Sequence, residues 1–363
     1  MVRAALSVAV AALAPVFGVS GAHVTANGAP FFPVLAYYQC GASAAAAAAA
    51  GVDFFAEQPY TACTWQQPND FSTEPLPPGV HALGDDYADP SPDAGWYLPD
   101  EPDAIPLTGE ELPQLPPAAT TGKLRVLNLS QHFFSDQAPI RPGYDRGEYT
   151  RLAARADLVG FDLYPIVKFC GRVPLLDVFR AQRELATIYA AGQPTFQWIE
   201  TGPMTGECPT LQVTPAIANA EAWLAVAAGA AGIGWFTSGW TESGWNRWDV
   251  DDAMVAEIAE TDARLHGLAS VLVAPPGPVS VSPADAVAAS SRAAGGSTYV
   301  IAVNSTDRAT TVSLRVPGLR AGALQVLDEG RSVRSTKRGV VRDTFPPYAV
   351  HVYEAGPGLT ARS

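Results

Sequence analysis

Gly95-Trp96-Tyr97-Leu98-Pro99-Asp100-Glu101-Pro102-Asp103 is the stretch whose reading decides the fold. An apolar run, Trp96 to Leu98, stops on three carboxylates, Asp100, Glu101 and Asp103. Pro99 and Pro102 bracket the first two. Proline offers no N–H to a ladder and fixes φ, so the strand ends here and the chain leaves extended. An apolar strand that stops on paired carboxylates is how a parallel barrel presents acid/base groups at its C-terminal mouth. A solvated acidic turn would look the same locally, so the flanking elements must decide.

Outward from this stretch, β-rich apolar runs alternate with helical patterns. Phe31–Tyr38, Val52–Ala56 and Val80–Leu83 precede it as strands. Leu124–Leu129, Leu158–Tyr164, Thr195–Ile199 and Ile233–Phe236 follow it. Between them, Ala42–Ala50, Tyr149–Ala156, Leu175–Ala191 and Pro215–Ala228 read as helices, and Asp252–Leu272 closes the series. Strands apolar on both faces and covered by helices indicate a parallel sheet. Eight such units over about 250 residues predict an α/β fold, a (β/α)8 TIM barrel spanning 23–273. After Pro275-Pro276-Gly277-Pro278 the period shortens to two, with Gly, Asn and Asp turns. Residues 274–278 therefore read as a linker, 279–355 as a small all-β sandwich and 356–363 as a tail.

A formal charge of −13 over 363 residues argues against a nucleic-acid partner, which needs a concentrated basic face. Arg3, the apolar run Ala4–Val19 and the small residues Ser20-Gly21-Ala22 predict a signal peptide over 1–22 and a secreted or periplasmic chain starting near His23. No later run is long and apolar enough to span a membrane. In an exported chain, four cysteines predict two disulfides. Cys40 and Cys63 follow consecutive strands, as do Cys170 and Cys208, and consecutive loops of a barrel are neighbours, so Cys40–Cys63 and Cys170–Cys208 are the expected pairs. Their spacing does not suit a metal, and no cofactor motif is present.

The polar residues that end the strands converge on one face. They are Tyr38, Glu57, Asp100 with Glu101, Asn128, Asp162 with Tyr164, and Glu200, with Trp235 on the last strand and Trp240, Trp245 and Trp248 in the loop beyond. Glu101 on strand four and Glu200 on strand seven then face each other across the mouth. Two carboxyl groups so placed suit glycoside hydrolysis, one protonated to donate to the leaving oxygen and one ionised to attack the anomeric carbon.

Asp100-Glu101-Pro102 and the strand-seven glutamate of T-F-Q-W-I-E-T-G resemble the retaining (β/α)8 glycoside hydrolase clan of β-galactosidase-type and cellulase-type barrels. The resemblance covers about 24 to 272, and the β-domain is similar to the accessory sandwiches that follow such barrels. It implies that Glu101 is the acid/base and Glu200 the nucleophile. The clan usually has asparagine where this chain has Asp100, which can accept from a sugar hydroxyl but cannot donate as an amide does.

Other residues are weighed as substrate contacts. Asp162 reads as a second carboxylate or subsite ligand. Tyr164 can donate to the nucleophile, and Trp235 and Trp240 offer indole faces to a sugar. Asp103 and His132 read as solvated, and His266 as structural. The expected partner is an oligosaccharide or polysaccharide. Two alternatives stand beside the glycosidase reading: a non-catalytic carbohydrate-binding protein on the same barrel, and a hydrolase that uses Asp100 or Asp162 instead.

Overall fold

The computed structural model describes residues 15–37, 39, 41–58, 76–88, 92–134, 145–202, 208, 211–241 and 244–357, without the side chains of 41, 42, 57, 58, 240, 241 and 244–246. Eight parallel strands close into a barrel: β1 (Val34–Tyr37), β2 (Phe54–Gln58), β3 (His81–Gly84), β4 (Gly95–Tyr97), β5 (Leu124–Leu129), β6 (Leu158–Asp162), β7 (Thr195–Glu200) and β8 (Gly232–Phe236). β8 pairs with both β7 and β1 and so closes the ring. Gly95–Tyr97 is therefore the fourth strand, and the short His81–Gly84 run is a true third strand.

Side-chain parity follows from contacts on the two faces of the sheet. Thr195 accepts a hydrogen bond from Gln182 of helix α1 (Leu176–Glu184) at 2.7 Å, so odd positions of β7 face the helices. Phe196, Trp198 and Glu200 therefore share the opposite, interior face. Trp198 reaches Tyr37 of β1 at 5.7 Å between ring centroids, and Tyr37 reaches Tyr97 of β4 at 6.4 Å. Those strands are not neighbours, so the contacts cross the barrel axis. The interior is a packed aromatic core, and glycines make room for it. A Cβ at Gly160 would come within 2.1 Å of the Phe196 ring, and one at Gly234 within 2.3 Å of Trp198.

Helix α2 (Pro215–Ala228) starts on Thr214, whose Oγ1 accepts from Ile217 N, carries Pro215 in its first turn and stops on Gly229 at φ 111°. It is apolar around its whole circumference, as suits a helix covered on both sides. β7 and β8 lie under it, and the C-terminal domain covers its outer face. Arg292 of that domain donates to Val226 O at 2.7 Å. Helix α3 (Asp252–Gly267) is capped by Asp251, which accepts from Met254 N at 2.8 Å. From α3, His266 bonds Asp53 Oδ2 at 2.9 Å, and that oxygen also accepts from Val34 N, a structural clip at the base of β1.

The C-terminal domain is an antiparallel sandwich-like sheet of nine strands, running from Gly277–Pro278 at one edge to Ser280–Ser282 at the other. Gly277 and Pro278, expected in the linker, pair with Ser291 and Ser290. Val287–Ala294, Arg331–Ser335 and Val340–Phe345 are among its strands. The first two are rich in alanine, serine and arginine, so a strand signal based on β-branched residues passes over them.

At the N-terminal end, His23–Ala26 and Ala29–Phe31 form a hairpin around the turn signal Asn27-Gly28, both at positive φ. A third strand, Phe17–Ser20, pairs with His23–Ala26, and Phe17 is buried against Phe54 and His81. The leader boundary expected at residue 22 thus cuts between paired strands. Residues 17–22 belong to the folded unit, because Phe17 fills the base of the barrel.

Candidate active site

The interior-facing files of the strands end in polar groups at one mouth. Tyr97 and Asp100 come from β4 and its exit, Asn128 from β5, Asp162 and Tyr164 from β6 and its exit, and Glu200 from β7. Asp100 accepts from Asn128 Nδ2 at 3.0 Å and from the Tyr97 hydroxyl at 3.1 Å. Burial pushes its carboxyl up to about 6; the neighbouring Glu101 charge adds to the rise, against the lowering effect of the Asn128 and Tyr97 hydrogen bonds.

Glu101 sits in the left-handed region at φ 42°, with its N–H donating to Asn128 O at 3.1 Å. Asp162 shares a register row with Trp198 on the next strand. Burial first, then the charge of Glu101, drives the Asp162 pKa well above its usual value. Asp100, Glu101 and Asp162 are each partly exposed and open to a substrate.

Glu200 is 1% exposed. Its Oε1 accepts from Ile166 N at 2.8 Å and its Oε2 from Val167 N at 2.7 Å, both on the loop after β6. Its charge acts on Glu221 of α2, which is 0% exposed. Burial raises both acids, Glu221 much the further. The Tyr164 phenol is held well above its usual range, first by burial and then by the charges of Asp162, Glu101, Asp100 and Glu200.

Several expectations are corrected. Trp235 is fully buried on the helix-facing side of β8, and its Nε1 donates to Asp262 of α3 at 2.9 Å. It is core, not a sugar platform. The interior-facing ring of β8 is its neighbour Phe236, 5.5 Å from both Tyr37 and Tyr164. In a strand, a one-residue shift moves a side chain to the other face. The signal was present in Gly232 and Gly234, which mark the interior file where Pro33 and Trp198 respectively leave no room for a Cβ.

Asp103, expected at the surface, is 1% exposed and accepts from Ser130 N and Oγ. His132, expected to be solvated, places Nδ1 2.8 Å from the same Oγ. Glu221 and Gln39 were not singled out from sequence. Gln39 donates to Tyr37 O, Thr237 Oγ1 and Arg247 O, tying the β1 exit to the β8 exit. Trp248 packs against the core. Tyr38, Cys40 and Cys63 lie outside the described residues, as do the side chains of Glu57, Trp240 and Trp245. The Cys170–Cys208 disulfide is present, with Cα atoms 5.2 Å apart. Among the described residues, no group of His, Cys, Asp and Glu has the arrangement to hold a metal ion.

Residues 283–353 match the model of the D-apionate lactonase C-terminal immunoglobulin-like domain. No curated protein sequence matches the chain. Among solved structures, one described as a glycoside hydrolase is 10% identical at a TM-score of 0.52, over 93% of this chain and 96% of its own. A GH30 endoxylanase from Clostridium papyrosolvens C71 is 10% identical at a TM-score of 0.49, over 89% of this chain and 96% of its own. An Anoxybacillus α-amylase is 13% identical at a TM-score of 0.43 over 68% of this chain, which spans only 54% of the amylase. The chain has the (β/α)8 barrel fold found in glycoside hydrolases, followed by an immunoglobulin-like C-terminal domain.

Proposed function

We propose that the chain is an exported glycoside hydrolase that cleaves O-glycosidic bonds of an oligosaccharide or polysaccharide by a two-glutamate retaining mechanism. The observation that carries this reading is that Glu101, on the exit of β4, and Glu200, at the end of β7, stand at the same mouth of the barrel, with both oxygens of Glu200 held by the amides of Ile166 and Val167. In the first step an oxygen of Glu200 bonds to the anomeric carbon as the glycosidic C–O bond breaks. Glu101 gives its proton to the leaving oxygen. In the second step water gives a proton back to Glu101, and its oxygen displaces Glu200. Asp100, fixed by Asn128 and Tyr97, accepts from a sugar hydroxyl, while Phe236 and Tyr37 offer aromatic faces to the ring.

An extracytoplasmic setting is supported by the Cys170–Cys208 bond, since disulfides persist in oxidising compartments. No described helix is long and apolar enough to cross a membrane.

The test is turnover of oligosaccharides, with aryl glycosides beside them, by Glu101→Gln and Glu200→Gln proteins, with the anomer of the first product read by NMR. Loss of oligosaccharide turnover in both variants, with retention of configuration in the wild type, is expected. Wild-type turnover of the oligosaccharides in either variant overturns the assignment.

The match of 283–353 to a lactonase domain favours one second reading, hydrolysis of a sugar lactone with the Glu101–Asp162 pair activating water. An aldonolactone panel run beside the aryl glycosides separates the two. Binding of oligosaccharide without turnover of either class indicates the non-catalytic carbohydrate-binding reading.

A further inference from the structure

Helices α1 and α2 end where β7 and β8 begin, at the base of the barrel opposite the mouth. The first strands of the C-terminal domain close over both ends and leave a cavity of about 340 Å³ between them. One wall carries Phe179, Arg183, Thr187 and Gln193, and the other the end of α2 and Ser290 of the C-terminal domain. The volume suits one small molecule.

Three polar groups on these walls have bonding capacity to spare. Arg183 lies one helical turn beyond Phe179, its guanidinium carbon 6.0 Å from that ring, exposed and in no ion pair with a described residue. Gln193 donates from Nε2 to Ala153 O and Ala156 O at 3.2 and 3.1 Å, which orients the amide and leaves Oε1 as its open acceptor. Ser290, 4% exposed, accepts from Arg292 at 2.9 Å, so its own O–H is left to donate. Arg292, buried behind Ser290, also donates to Val226 O at 2.7 Å and so offsets the negative end of α2. Among the described residues no Asp or Glu lines the cavity, in a chain whose net charge is −13. The site is cationic where the chain as a whole is acidic.

We propose that this cavity binds a single small sugar acid, its carboxylate on the Arg183 guanidinium and its hydroxyls on Gln193 Oε1 and the Ser290 O–H. A guanidinium fork matches a carboxylate, and Phe179 with the surrounding alanines covers the C–H faces. Cyclic uronic acids and open-chain aldonic acids share this chemistry. The site shares no residue with the mouth and stands whatever reaction runs there. Its two walls belong to the barrel and to the C-terminal domain, so a bound ligand ties the two together.

Isothermal titration of the full chain with D-glucuronate, D-gluconate, acetate and D-glucose tests the proposal. At least one sugar acid should bind about tenfold or more tightly than acetate or glucose, and the tighter of the two acids tells ring from open chain. At about a hundredfold excess over Kd that acid should raise the thermal unfolding midpoint by a few degrees. Arg183→Ala, at an exposed helix position, should keep the ligand-free midpoint and weaken the acid about tenfold, the loss expected for a charge-assisted bond. Ala186→Phe, at a half-buried lining position, should fill the cavity and abolish binding. No binding of either acid at about 10 mM overturns the proposal, as does acetate or glucose binding equally well. Acid binding unmoved by Arg183→Ala also overturns it and places the acid elsewhere on the molecule.

Discussion

Asp103 accepts two hydrogen bonds from a single residue, Ser130: from its N at 2.9 Å and its Oγ at 2.5 Å. The pair ties the exit of β4 to the exit of β5, beside Glu101, whose φ of 42° is a conformation glutamate holds only under constraint. Because the Ser130 O–H goes to Asp103, the contact to His132 requires the proton on His132 Nδ1. Asp103→Ala should leave both Ser130 donors unpaired in a buried site and cost about 1–3 kcal/mol. It should lower kcat with little change in KM, as Glu101 loses its fixed setting. Ser130→Ala should do the same more mildly. Steady-state kinetics and chemical denaturation check this, and a wild-type kcat in Asp103→Ala would remove the positioning role.

Trp235 and Phe236 should separate stability from binding. Trp235→Phe strips a donor from buried Asp262 and should cost about 1–3 kcal/mol with KM unchanged. Phe236→Ala should raise KM for an oligosaccharide with a smaller loss of stability. The reverse pattern would put the sugar on the Trp235 side.

Cys170–Cys208 closes a separation of 38 residues that begins just past the Ile166 and Val167 amides holding Glu200. A Cys170→Ser, Cys208→Ser protein should lose roughly 2–4 kcal/mol by the loop-closure argument. Its kcat should fall further than its stability alone explains, because the loop that presents those amides is loosened. Unfolding curves beside kinetics at a temperature where both proteins are folded test the point.

Stability should fall as pH rises from about 4 to 7. Asp100 moves from its usual 3.8 to about 6 through burial. Asp162, Glu221 and Asp262 are raised well above their usual values, also chiefly by burial. A raised folded pKa gives stability that is full below the unfolded value and lost as pH climbs through the folded one. His266 is raised by its bond to Asp53 and has the same sign. Asp93 shifts the other way, its burial outweighed by bonds from His81 and Ala82, but it acts only below the usual carboxylate range. The growing negative charge of a chain at −13 works in the same direction as the raised acids. Thermal unfolding midpoints should be higher at pH 5 than at pH 8; a midpoint that climbs across that range would contradict the buried-acid account.

Glu101→Gln should discriminate between leaving groups. A nitrophenolate leaves without a proton, whereas a sugar hydroxyl needs one, so the variant should lose far more rate on an oligosaccharide than on a nitrophenyl glycoside. Equal losses on the two would place the acid elsewhere.

The sequence by itself determined the order of the barrel strands, the barrel, the place of Asp100 and Glu101 at the end of the fourth strand and of Glu200 at the end of the seventh, and the Cys170–Cys208 pair. Each of these depends on pattern along the chain: apolar runs, proline stops and the adjacency of consecutive loops. The tertiary structure decided which face each strand-end residue takes and what it meets there. Trp235 and Phe236 are equally plausible aromatics until Trp198 fills the interior beside Gly234 and assigns Phe236 to the mouth. Asp103 looks solvated until barrel closure brings Ser130 over it. These partners lie on different strands and exits, and only closure of the barrel sets their distance.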